Sequence, residues 1–138
     1  MMHRTPIQIR FVDTDMLGHV NNSNFLSYME MARVSYFNTI LPGLVDWSKE
    51  GIILAKAEIQ YKKPIFLNDA LFVDIAVDHL SSRSFNMRYR FIRATEMGEE
   101  LCAEGNTLMV CYDYVQHTSM SMPETWKKAI LAHEGSIG

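Results

Sequence analysis

Residues 21–43, NNSNFLSYMEMARVSYFNTILPG, decide the fold. Phe25, Met29, Ala32, Tyr36 and Ile40 step by four, three, four and four, which sets them along one face of a helix. Leu26, Val34 and Phe37 carry apolar surface further round the cylinder. A helix apolar on several sides is mostly buried. Asn21 or Asn22 can cap its start, and Pro42-Gly43 ends it. At about 1.5 Å per residue, some twenty residues make a rod of about 30 Å.

On both sides of this helix the period is two. Ile7, Ile9 and Phe11 alternate with Gln8 and Arg10, which predicts a half-buried strand over residues 5–12. After Gly51, Ala55, Ala57, Ile59 and Tyr61 face one way, and Lys56, Glu58, Gln60 and Lys62 the other, until Pro64 stops the strand. Leu71, Val73, Ile75 and Val77 mark the next strand. Phe85, Met87, Tyr89 and Phe91, opposite Asn86, Arg88 and Arg90, mark another. A last strand runs from about Leu101 to Tyr112, with a bulge expected at Gly105. Its outward positions begin polar, with Glu104 and Asn106. They end apolar, with Leu108, Val110 and Tyr112, so that half needs covering by another element or a second subunit. Leu67-Asn68-Asp69, Leu80-Ser81-Ser82 and Glu96-Met97-Gly98-Glu99 are turn signals, and such short connections imply antiparallel hairpins. Ser121-Met122-Pro123-Glu124 has the spacing of a capping box before a short helix bearing Trp126, Ala129 and Ile130. The order is one strand, one long helix, four antiparallel strands and a short helix. That is an α+β fold with one antiparallel sheet wrapped around one helix.

Composition narrows the function. The 138 residues suit one domain, 1–138, and 48% hydrophobic content is enough for a packed core. Thirteen basic and 16 acidic residues leave a net charge of −3, against nucleic acid as the main partner. The apolar runs are too short to span a bilayer. The opening MMHRTPIQIRF has no apolar signal core, so a cytoplasmic location is expected. Cys102 and Cys111 read as two small buried thiols in preference to a redox pair. The ten methionines read as flexible core filler.

Common catalytic constellations are missing. The sequence has no Gly-x-Ser-x-Gly elbow and no Gly-rich phosphate loop. His3, His19, His79, His117 and His133 are scattered, so no metal site and no separate cofactor are expected. One segment concentrates chemistry: Phe11 to Phe25, FVDTDMLGHVNNSNF, sets two carboxylates, a glycine, a histidine and three asparagines between a strand and the buried helix. Asp and Asn are common in turns and caps. Yet a buried helix start also offers unpaired N–H groups and a positive dipole end to a developing oxyanion, and a nearby carboxylate can serve as nucleophile or base.

The run Asp13-Thr14-Asp15-Met16-Leu17-Gly18-His19-Val20-Asn21-Asn22, followed by Phe25, Tyr28, Glu30, Ala32 and Arg33, resembles the hotdog-fold acyl-CoA thioesterases. It is similar to the branch typified by 4-hydroxybenzoyl-CoA thioesterase. Residues 61–69 (YKKPIFLND), Ser82-Arg83-Ser84 and Met109 to Asp113 resemble the family's later segments in the right order. The resemblance implies a long helix in the concave face of the sheet. It also implies a homodimer joined edge to edge, often doubled to a homotetramer, with sites between subunits and no cofactor beyond the CoA of the substrate.

Residue by residue, the resemblance makes Asp15 the catalytic carboxylate, as nucleophile or as base on water. The backbone N–H near Asn22 would polarise the thioester carbonyl, and Gly18 would allow close backbone approach. Asp13 would brace the loop. His19 departs from the apolar residue of the benzoyl-CoA enzyme and would orient the loop or contact substrate. Phe25 and Tyr61 would line the acyl site; Arg83, at a strand start with Ser84, is either a contact for a CoA phosphate or a solvated turn charge. A different hotdog branch uses a helix glutamate; here Glu30 and Arg33, three apart, read as an ordinary ion pair. The acyl group is not legible. Acyl carrier protein as the thioester donor, and a non-catalytic acyl-CoA binder, are the rival readings.

Overall fold

The apolar helix face forms as its spacing requires. In the computed structural model, which describes residues 2–137, α1 spans Asn24–Ile40 and buries Phe25, Tyr28, Met29, Ala32, Arg33, Tyr36 and Phe37. Each large apolar side chain removed from water contributes about 1.5–3 kcal/mol. The other side is less covered than its apolar residues suggest: Leu26 is 46% and Val34 52% exposed in the single chain. Asn21 organises the helix start; its Oδ1 accepts the Ser23 N–H and hydroxyl, each at 3.0 Å.

The strands are β1 (His3–Ile7), β2 (Glu50–Tyr61), β3 (Ala70–Leu80), β4 (Ser84–Thr95), β5 (Gly98–Asp113) and the short β6 (Thr118–Ser119). They form one antiparallel sheet in the order β1-β3-β4-β5-β2, with β6 paired to the end of β5. Every period-two set on β3 and β4 lies in the core: Leu71, Val73, Ile75 and Val77 from one, Phe85, Met87, Tyr89 and Phe91 from the other. This is an α+β hotdog fold. A second helix, α2 (Glu124–Glu134), packs Trp126 and Ile130 into the same core. No helix among the described residues is long and apolar enough to cross a membrane.

Three local expectations are corrected. The first strand stops at Ile7, not residue 12, because the chain turns into a 3-10 segment over Phe11–Asp13. The Asp13 carboxylate drives that turn by accepting the Arg10 N–H at 3.0 Å, and Phe11 is left 80% exposed. The β5 bulge falls at Cys102, where Phe91 and Ile92 face Ala103 and Leu101, not at Gly105. The Cys102 carbonyl instead accepts the N–H groups of Lys62 and Lys63. Gly105 stays in register, and a Cβ there would lie 2.4 Å from the Glu58 carbonyl oxygen. Finally, α2 starts after Pro123 without a side-chain cap, so the Ser121–Glu124 spacing is not used as a capping box. Both cysteines are free and buried, and burial pushes the Cys111 thiol up to about 11.

Candidate active site

The loop between β1 and α1 is closed at its neck by backbone pairing. Thr14 bridges to Val20, and the Asn21 N–H donates to the Asp13 carbonyl at 2.7 Å. Its tip is a tight turn in which the Gly18 N–H donates to the Asp15 carbonyl at 3.0 Å and Asp15 N–H to the His19 carbonyl at 2.8 Å. Gly18 has φ +80, a region L side chains rarely adopt. Nothing among the described residues lies within 4 Å of an added Cβ, so within the chain it is the turn that requires this glycine.

Asp15 is exposed. Its Oδ1 accepts the N–H of Leu17 at 2.9 Å and of His19 at 3.3 Å. Those two bonds orient the carboxylate and leave the second oxygen without a hydrogen bond among the described residues. His19 is held by a bridge to Phe66, and its ring meets the Phe66 ring edge-on at 5.0 Å. Asp13 has the opposite character: 1% exposed, it accepts from the Tyr28 hydroxyl at 2.7 Å and from the Arg10 guanidinium at 2.9 Å. Burial pushes its carboxyl up, but the bonds from Tyr28 and Arg10 outweigh that and hold it below the usual carboxylate range.

Asp15, His19, Asn22, Phe25 and Tyr61 border one cleft of about 420 Å³. Tyr61 donates to the Asn22 carbonyl at 3.3 Å and meets the Phe25 ring edge-on at 4.9 Å. Among the described residues no acceptor takes the Asn22 N–H, which sits at the positive end of α1. Lys62 and Lys63, which the sequence reading left out, also line this cleft, with Nζ atoms 3.4 Å from Glu104 and Glu100. Lys62 belongs to the run expected on the outward polar face of β2, and Lys63 to the segment 61–69, neither with a role in the site.

The remaining candidates stand elsewhere in the chain. Ser84 pairs with Val110 and Tyr61 with Ala103, so 110 − 103 = 7 residues of β5, roughly 23 Å at about 3.3 Å each, separate them. Arg83 there donates to the Ser119 carbonyl at 2.8 Å and hydroxyl at 3.2 Å, bracing β6. Glu30 and Arg33 form the expected ion pair at 4.0 Å, beside a separate hollow of about 220 Å³. Arg88 lies on the outer face of the sheet with Glu58 and Glu104. Among the described residues no group of three or more His, Cys, Asp or Glu side chains could hold a metal ion.

An antiparallel sheet packed on one long helix, with Asp15 and Asn22 lining one cleft ahead of that helix, is the fold of the hotdog thioester hydrolases. The chain belongs to the thioesterase-like superfamily, whose family model matches residues 9–130. A Thermus thermophilus thioesterase, solved with coenzyme A and zinc, matches with a TM-score of 0.82 and 34% identity, covering 96% of this chain and 94% of that one. A 1,4-dihydroxy-2-naphthoyl-CoA hydrolase of Microcystis aeruginosa is 27% identical over 86% of each chain. An acyl-CoA thioesterase of Haemophilus influenzae is 23% identical over 90% of each.

Proposed function

We propose that the protein is a cytoplasmic hydrolase of acyl-CoA thioesters, with Asp15 as its catalytic carboxylate. One observation carries this reading. A single cleft is lined both by Asp15, whose second oxygen takes no hydrogen bond among the described residues, and by Asn22, whose N–H finds no acceptor there. The N–H polarises the thioester carbonyl and receives the charge that develops on its oxygen. Asp15 then acts by one of two balanced routes. As nucleophile it forms a bond to the carbonyl carbon, the carbon–sulfur bond breaks, and the CoA thiolate leaves and takes a proton; water then cleaves the anhydride. As base it accepts a proton from water, whose oxygen adds to the carbonyl before the thiolate leaves.

The surroundings support a CoA thioester. Phe25 and Tyr61 offer an aromatic wall, and His19 stands at the rim. Lys62 and Lys63, exposed and each close to a glutamate, give the cleft two cations suited to the CoA phosphates. Arg83 and Ser84 reach such a site only from a second chain, in keeping with the expected homodimer or homotetramer. Leu26 and Val34 on α1 and Leu108 on β5, each more than a third exposed, leave apolar surface for such an assembly to cover.

The test is a panel of acyl-CoA and acyl-carrier-protein thioesters, followed by free-thiol release. Release from CoA thioesters is expected. Release from carrier-protein thioesters alone would move the substrate class, and tight binding without release would replace hydrolysis by carriage.

A further inference from the structure

The loop that carries Asp15 is tied to the helix through Asp13, whose fully buried partner there is a tyrosine. Asp13 stands at the loop's neck. Its carbonyl accepts the Asn21 N–H at 2.7 Å and the Asn24 amide at 3.0 Å, fixing the neck to the helix entry. Its carboxylate oxygen Oδ2 accepts the Tyr28 hydroxyl at 2.7 Å and the Arg10 N–H at 3.0 Å, and Oδ1 accepts Arg10 Nη2 at 2.9 Å. Arg10 is on the strand side, and its side chain is 69% exposed, so water competes for it. Tyr28 is 2% exposed and belongs to α1 itself. It is therefore a buried side-chain link between the Asp15 loop and the helix, which begins two residues after Asn22.

We propose that Tyr28, acting through Asp13, is a positioning residue that sets the placement of the Asp15 carboxylate against the start of α1. The inference rests on the thioesterase reading above for its kinetic consequence only. Both reacting groups sit on backbone segments that meet at Asp13, so loosening that junction moves one against the other. Misplacement of reacting groups by about 1 Å can cost 10²-fold in rate. Arg10 and the neck's backbone bonds remain in Tyr28→Phe, so a partial loss is expected.

The experiment compares wild type with Tyr28→Phe, Asp13→Asn and the double variant. For Tyr28→Phe, kcat falls about tenfold with KM within about twofold, and amide exchange quickens across residues 13–21 but not in β3 or β4. Because Tyr28 acts through Asp13, the double variant is no slower than Asp13→Asn alone. A Tyr28→Phe enzyme with unchanged kcat and a lower melting temperature would show a merely structural tyrosine and overturn the proposal, as would rate losses that multiply in the double variant. If wild type releases no thiol from any thioester, the functional reading fails. The exchange measurement then decides alone: unchanged protection over residues 13–21 overturns the link, and selective loss upholds it.

Discussion

Gly105→Ala tests how closely β2 and β5 are packed where β2 runs toward the cleft. Gly105 faces Ile59 on β2 and Tyr89 on β4 in unbroken register. An added Cβ would lie 2.4 Å from the Glu58 carbonyl oxygen and 3.4 Å from the Glu58 carbonyl carbon and Ile59 Cα. Ordinary contact begins near 3.4 Å, so β2 must withdraw by 3.4 − 2.4 = 1.0 Å or lose pairing at its centre. The clashing atom is backbone, which cannot swing aside. Overpacking of this kind costs about 1–3 kcal/mol, and at this chain length each kcal/mol lowers Tm by about 3–5 °C. Urea titration should show a lower midpoint with an unchanged slope. The end of β2 leads into Tyr61, Lys62 and Lys63, so KM should rise more than kcat falls. An unchanged midpoint would refute the argument that β2 and β5 touch through this glycine.

The bonds from Tyr28 and Arg10 hold the Asp13 carboxyl below its ordinary value of 3.8, so the folded state keeps it ionised further into acid than the unfolded chain does. The stability it contributes is full above about pH 4 and is lost as pH falls through the lowered folded value. Asp13→Asn should therefore be less stable at neutral pH and lose less on acidification, read by urea titrations from pH 7 to pH 3. Light scattering at micromolar concentration should give a homodimer or homotetramer; a mass near 15.9 kDa throughout would leave Arg83 and Ser84 away from the cleft. Thiol release should survive exhaustive chelation, because a carboxylate mechanism needs no Lewis acid; loss on chelation with recovery on adding zinc would replace that mechanism.

Much of the fold was legible because it rests on periodicity. The steps from Phe25 to Ile40 and the alternation on β3 and β4 record which face each element buries, and the structure buries those faces. Where the sequence misled, a distant partner had taken over. Ile9 and Phe11 continue the alternation of β1, but Asp13 draws the chain into a turn because Tyr28, fifteen residues on, holds its carboxylate. Gly105 looked like a bulge from its own strand; its reason is the Glu58 carbonyl on β2. In the site, the Asp15 loop, Asn22, Phe25 and Tyr61 come together as the motif implied. Lys62 and Lys63 went unnoticed because alternation on β2 places charges outward, whereas the turn after Tyr61 swings them to the cleft. Arg83 and Ser84 fall at the far end of β5, a placement that only strand register reveals.

The central claim is that the Asp15 carboxylate performs the hydrolysis, and Asp15→Asn tests it most directly. The amide keeps an oxygen that can accept the Leu17 and His19 N–H groups, so the loop and the Asn22 N–H stay in place. It has no negative charge and almost no nucleophilic or basic power. General acid–base groups contribute about 10²–10⁴-fold, so single-turnover thiol release should slow at least about a hundredfold while substrate affinity, melting temperature and assembly hold. Near wild-type turnover by Asp15→Asn would contradict the account and turn attention to Glu30.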